Sequence, residues 1–234
     1  MFKKTLTGLL AAAFICGSLV FSQVPLDEEN KIYIRAVIYP TFSLSRFDYN
    51  NDLNNSEIRA HIHLSWRSPH GEIIPDAEVK VNGRSLEFTE NNYEKRIQVS
   101  PETLPDKITL DIKTRSGINF NQTYSIPDWL VIQEPPPSIV DHNSDLNLKW
   151  AFKNFRGLVN IRAYDFNTGD EILRLSNVMS TETVIPAADI QEDNLLRIYV
   201  ICSWMYKKYI RGENIARGSE INMIPWSQVF IRTK

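Results

Sequence analysis

His61 and His63 stand two residues apart in the segment 58–67. On an extended strand that spacing projects both imidazoles from one face, a workable start for a zinc or copper site. A third ligand would have to come from His70, Glu57 or a neighbouring strand, and Arg59 and Arg67 alternate onto the same face, where they oppose a cation. The segment therefore reads as a solvated sheet face; His61 and His63 are weak metal candidates, and no metal or other cofactor is expected. Asp48, Asn50 and Asp52 have the spacing of the first half of a calcium loop. Leu53 stands where that loop needs glycine, and Arg59 where it needs a bidentate glutamate. Asp165, Asn167, Gly169 and Asp170 are likewise partial. Both groups read as turns closed by Asn and Asp side chains.

Covalent and phosphoryl chemistry finds no support. None of G-x-S-x-G, H-E-x-x-H, G-x-x-x-x-G-K or C-x-x-C occurs. Paired carboxylates of the glycosidase kind meet only in space and leave no mark in a sequence. Cys202 lies in a β-prone run with no neighbouring His or Asp, so it reads as a buried, inert thiol. The unusual stretch is 204–218, where Trp204, Tyr206 and Tyr209 alternate with Lys207, Lys208, Arg211 and Arg217. Aromatics beside cations can stack on a sugar, grip an anionic polymer or anchor a protein, since Trp, Tyr and Arg dominate binding hot spots. The structural alternative puts Trp204 in the core, Tyr206 at its rim and the cations on a solvated hairpin.

The elements that must position these residues are strands. Ile58, Ala60, Ile62, Leu64 and Trp66 alternate with Arg59, His61, His63, Ser65 and Arg67, the period-two pattern of a strand with one face in a core. Residues 32–39, ended by Pro40, form the strand before it, and the polar stretch 48–57 reads as the loop between them. Asn82-Gly83 and Ser116-Gly117 are turn signals between short β-prone runs. Residues 146–150, 158–164, 196–206, 220–224 and 229–232 continue the series, with Pro225 as a break. No amphipathic helix of ten residues stands out. The prediction is an all-β chain.

Ahead of these strands, Lys3 and Lys4 precede an uncharged apolar run over 6–21, and Val20-Phe21-Ser22 fits a small-residue cleavage site. The run is short for a membrane span of ~20 residues. Residues 1–22 therefore read as a signal peptide, with Gln23 first in the mature chain and no membrane span left after cleavage. Lipidation at Cys16 is disfavoured by Ile15, where a small residue is required. Removing Cys16 leaves Cys202 without an internal disulfide partner, which fits a bacterial periplasm or cell surface. The formal net charge of −2 becomes more negative without Lys3 and Lys4, so nothing attracts nucleic acid in bulk.

Pro135, Pro136 and Pro137 cannot donate to a ladder and favour an extended polyproline segment. They suggest a linker over 134–138 between an N-terminal β-sandwich, 23–133, and a C-terminal one, 139–234. Prolines followed by 146–150 ending on Trp150, with the long strand around Tyr199, resemble the opening and penultimate strand of a fibronectin type III module. Residues 77–83 and the strand at Tyr93 are similar, more loosely, to an immunoglobulin-type sandwich. The resemblance implies two tandem β-sandwiches, and modules that bind, space or present. The expected function is a non-enzymatic binding or scaffold protein of the cell envelope whose partner is another envelope or extracellular protein. The alternatives are a carbohydrate- or peptidoglycan-binding module using 204–217, and a hydrolase or metal-dependent enzyme with a hidden site.

Overall fold

The computed structural model describes residues 30–48, 51–100, 104–133, 139–152, 157–190, 192, 195–203 and 205–234, and only the backbone of 43–48 and 51–55. The signal peptide expected at 1–22, the linker expected at 134–138 and Trp204 lie outside the described residues.

Strands dominate. They are β1 (Ile32–Asp48), β2 (Asn51–Trp66), β3 (Glu78–Val81), β4 (Arg84–Ser85), β5 (Glu87–Thr89) and β6 (Asn92–Val99). Then follow β7 (Lys107–Lys113), β8 (Asn119–Ser125), β9 (Leu130–Gln133), β10 (Ile139–Val140), β11 (Leu146–Phe152) and β12 (Val159–Asp165). The last are β13 (Glu171–Val178), β14 (Glu182–Ile185), β15 (Leu195–Cys202), β16 (Tyr206–Tyr209), β17 (Glu220–Met223) and β18 (Trp226–Thr233). The all-β class expected from the sequence is the class the chain adopts. Among the described residues the helical content is one 3-10 turn at Ala187–Asp189, and no helix is long and apolar enough to cross a membrane.

The backbone of the fold is a large sheet in the order β13-β12-β15-β18-β1-β2-β6-β5, with β17 also on β1, β16 on β17 and β10 on β18. Two smaller sheets, β4-β3-β7-β8 and β14-β11-β9, complete the molecule. Period two decides which side of the large sheet each residue faces. Ile34, Ala36 and Ile38 of β1 and Ile58, Ala60, Ile62 and Leu64 of β2 are buried with Val79, Val81, Ile108, Leu110 and Ile112 of the four-stranded sheet. Further along the same face, Phe42, Ile198, Val200, Val229 and Ile231 are buried with Leu130, Leu148 and Trp150 of the three-stranded sheet. Both small sheets thus cover one face of the large sheet, in the face-to-face manner of sandwiches.

Neither apolar cluster is confined to one side of residues 134–138. The first takes Ile210, Ile215, Ile221 and Met223 from the C-terminal end, and the second takes Phe42, Leu130 and Ile132 from the N-terminal part. The cause is β1, which pairs in parallel with β17 (Ile38 opposite Met223) and then with β18 (Thr41 opposite Trp226). The offset is the same in both runs, and the gap between them holds Pro40 on one strand and Pro225 on the other. The Ile38 carbonyl accepts from the Ile224 amide, so by alternation the donor that Pro40 lacks would face the C-terminal strands and not β2, while the Pro225 carbonyl accepts from the Cys202 amide on the β15 side. The sequence led us to expect that Pro40 ends the first strand, but pairing with β2 continues through Tyr39, Pro40 and Thr41, and β1 runs on to Asp48. The expected loop over 48–57 is likewise largely strand, because β2 begins at Asn51 and pairs with β1 along its length. Cross-strand pairing overrides the turn preference of Asn and Asp there. The hairpin at Asn82-Gly83 is as expected, with φ of 48° and 74° between β3 and β4; glycine meets the second positive φ without a Cβ penalty.

The shared ladder makes a prediction. Residues 23–133 expressed alone lack β16–β18 and leave β1 without its parallel partner. That fragment is expected to show no cooperative urea transition by circular dichroism, whereas residues 23–234 unfold cooperatively. A cooperative transition for the fragment would contradict the assignment.

Candidate functional site

The face of the large sheet away from the small sheets carries arginines and aromatic rings on neighbouring strands. Arg162 and Tyr164 point outward from β12, where Val159, Ile161 and Ala163 point in. Arg197, Tyr199 and Ile201 do so from β15, and Trp226, Gln228 and Phe230 from β18. Tyr39 extends the row onto β1 and Arg59 onto β2. Register sets cation against ring: Arg162 is opposite Tyr199, Tyr164 opposite Arg197, Arg197 opposite Phe230, and Tyr39 opposite Arg59.

The rings touch. Tyr199 stacks on Trp226 with centroids 5.3 Å apart and planes 28° apart. Tyr164 meets Tyr199 edge-on at 5.7 Å, and Phe166 meets Phe230 at 5.8 Å. The Arg59 guanidinium lies 5.0 Å from the Trp226 centroid, and that of Arg197 lies 4.6 Å from Tyr199 and 5.4 Å from Phe230. Each such cation–ring contact contributes about 0.5–2 kcal/mol. Arg197 also donates from Nε and Nη2 to Gln228 Oε1, at 3.3 and 3.0 Å. Burial pushes the Tyr199 phenol above its ordinary range, against the pull of Arg197 and Arg59, so this ring stays neutral at physiological pH. Tyr39, Tyr164, Tyr199, Trp226, Arg162 and Arg197 line a shallow, mainly apolar depression of about 510 Å³. At its floor Arg162 Nε and Trp226 Nε1 are buried without an acceptor among the described residues.

The residues singled out from the sequence are placed as follows. Tyr206, Lys207, Lys208 and Tyr209 form β16, paired on one side by β17. Alternation separates them. Tyr206 packs against the first core with the Lys208 ammonium 5.4 Å from its ring, and Lys207 lies 5.1 Å from the Tyr209 ring. Tyr209 is 61% exposed. Lys207 forms an ion pair with Glu220. Arg211 and Arg217 are exposed and, with Tyr209 and Ile215, line a cavity of about 630 Å³ in the loop after β16. His61 and His63 do share a face of β2, and His61 Nδ1 lies 3.1 Å from Glu94 Oε1. His63 Nε2 is buried without a partner among the described residues. No group of three or more His, Cys, Asp or Glu comes together among the described residues. Asp165 closes a turn by accepting from the Asn167 and Thr168 amides at 2.7 and 3.1 Å, as its sequence suggested. Cys202 is buried and in no disulfide among the described residues.

The outward row on β12, β15 and β18 was not among the sequence candidates. Its signal was present in the alternation of Arg162 with Tyr164 and of Arg197 with Tyr199, but only the pairing of the strands joins them. The row offers apolar ring edges and cationic donors, and no nucleophile paired with a base. That suits binding.

The Lys207–Glu220 pair gives a pH test. Burial raises the Glu220 carboxyl, but hydrogen bonds from Lys207 and Asn222 outweigh it and hold the group below its ordinary 4.5. A depressed carboxylate contributes stability above that ordinary value, which is lost as pH falls through the folded pKa. Lys207→Met removes the main opposing group, so the Glu220 carboxyl resonance is expected to titrate at higher pH than in the unaltered chain. An unchanged midpoint would remove Lys207 from the account.

No family model matches the chain, and no curated protein matches it in sequence. Among solved structures it is similar to the fibronectin(III)-like modules of Clostridium thermocellum CbhA, at 10% identity over 85% of this chain and 94% of that one, with a TM-score of 0.23. It is also similar to the BSP domain of a biofilm associated protein, at 12% identity over 82% of this chain and 28% of that one, with a TM-score of 0.25. A third likeness is to DIP-gamma IG1+IG2, at 9% identity over 88% of this chain and 99% of that one, with a TM-score of 0.22. Such low scores carry no argument about function; the β-architecture stands on the strands themselves.

Proposed function

We propose that this chain is an exported, non-enzymatic binding or scaffold module of the cell envelope that holds a protein partner on the open face of its large sheet. The observation that carries the reading is the row of Tyr164, Tyr199 and Trp226 interleaved with Arg162, Arg197 and Arg59 around the 510 Å³ depression. Such residue types, held in one packed cluster, are those that dominate protein interfaces. A sugar platform needs uncovered ring faces. Here Trp226 is engaged by Tyr199 and Arg59, and Tyr199 by Arg197, so the rings present edges, which suits protein side chains better than a pyranose. Export is supported by Lys3, Lys4 and the apolar run over 6–21.

A second reading rests on the cavity lined by Tyr209, Arg211 and Arg217, with Tyr206, Lys207 and Lys208 on the adjoining strand. Those residues would hold a glycan.

Cross-linking in intact cells, followed by purification from the envelope fraction and mass spectrometry, tests both. Tyr199→Ala with Trp226→Ala is expected to lower recovery of the specific partner at least ~10-fold, with the strand signature in circular dichroism retained. Tyr209→Ala with Arg211→Ala is expected to leave it unchanged. The opposite pattern would favour the second reading, and unchanged recovery in both would sink the proposal.

A further inference from the structure

We infer that the open face recognises a carboxylate on an acidic segment of its protein partner, through Arg162 and Arg197. The inference rests on the proposed binding face and names the chemistry that face selects. Arg162 stands opposite Tyr199, and Arg197 is two residues before Tyr199, so the two arginines are diagonal neighbours on β12 and β15. Such neighbours lie ~7–8 Å apart, a spacing that one carboxylate between two guanidinium groups can bridge. Both line the depression.

The surrounding carboxylates are committed elsewhere. Glu171 accepts from Arg174 Nε and Nη2 at 2.6 and 2.9 Å and from the Tyr164 hydroxyl at 3.1 Å. Glu57 is paired with Arg59 and accepts from Gln98 Nε2 at 3.3 Å. Asp165, which also borders the depression, is turned onto the amides of its own turn. Arg197 makes its hydrogen bonds to the neutral Gln228, and Arg162 has no ion pair among the described residues and a buried Nε that no group accepts from. Arg162 feels the Glu171 carboxylate, which is hydrogen-bonded to Arg174 and Tyr164, but neither Arg162 nor Arg197 makes an ion pair of its own among the described residues. An ionised acceptor is the group whose desolvation such a site compensates, because hydrogen bonds between ions are roughly twice as strong as neutral ones. Arginine's planar fork also favours carboxylate over a point anion.

The test uses isotope-labelled residues 23–234 and three probes: the capped peptide Ac-Val-Glu-Val-Glu-Val-amide, its Gln-for-Glu isostere, and tri-galacturonate. The acidic peptide is expected to shift the Arg162 and Arg197 Nε–H and Trp226 indole resonances, and to bind about tenfold more tightly than the isostere. Arg162→Gln with Arg197→Gln is expected to erase that preference while leaving the buried Leu148 and Ile198 methyl resonances in place, which shows that the fold persists. Equal binding of the two peptides on this face would overturn the carboxylate inference and leave the binding face standing. Shifts from tri-galacturonate alone would overturn it in favour of an acidic glycan. No shift from any probe would overturn it as well, and the binding face would then be judged by the cross-linking of Tyr199 and Trp226 variants.

Discussion

Everything in this molecule hangs on the parallel ladder between its first strand and its last two. β1 has β2 on one side and β17 followed by β18 on the other. A parallel pair needs a long crossover, and here the crossover is most of the chain. The ladder meets two prolines, Pro40 and Pro225, in the gap between its two paired runs, and β1 stays continuous there because its pairing with β2 runs through Pro40. Around that point the Ile224 amide still donates to Ile38 at 2.9 Å, and the Cys202 amide to Pro225 at 3.0 Å, so the neighbouring strands stay tied.

One consequence is a sheet long enough to serve two cores. The four-stranded and three-stranded sheets bury different lengths of the same surface, and β1 contributes Ile34, Ala36 and Ile38 to one cluster and Phe42 to the other. The second consequence is the open side. Because both small sheets lie on one face, the outward positions of β12, β15, β18, β1 and β2 remain together on the other. Arginine and aromatic side chains hold many of them, and their mutual contacts link neighbouring strands without covering the face with further sheet.

The sequence carried the strand content plainly. The alternation over 58–66 assigned the inward side of β2 correctly, with Ile58, Ala60 and Ile62 fully buried, and Cys202 is buried as its surroundings implied. What it could not carry is partner choice between distant strands. Pro40 reads locally as a stop, and only the continued pairing of β1 with β2 makes it a point within a strand. Asn51 to Asn55 read as loop, because their turn preference is local and the pairing that overrides it is not. The segment 204–217 drew attention through its density of aromatic and basic residues in sequence, yet alternation sends Tyr206 with Lys208 one way and Lys207 with Tyr209 the other. The opposite holds for Arg162, Tyr199 and Trp226, which are dispersed in sequence and assembled by register. Local density was a poor guide to a surface built from long-range pairs.

Hydrogen exchange on residues 23–234, read by mass spectrometry under native conditions, tests the shared ladder most directly. Amides of β1, β15 and β18 should exchange with one common, slow opening, since none can open without exposing its neighbour's ladder. Exchange of 226–233 at a rate orders of magnitude faster than 32–42 would show that the C-terminal strands open without β1, and would contradict the continuous sheet from which the binding face is derived.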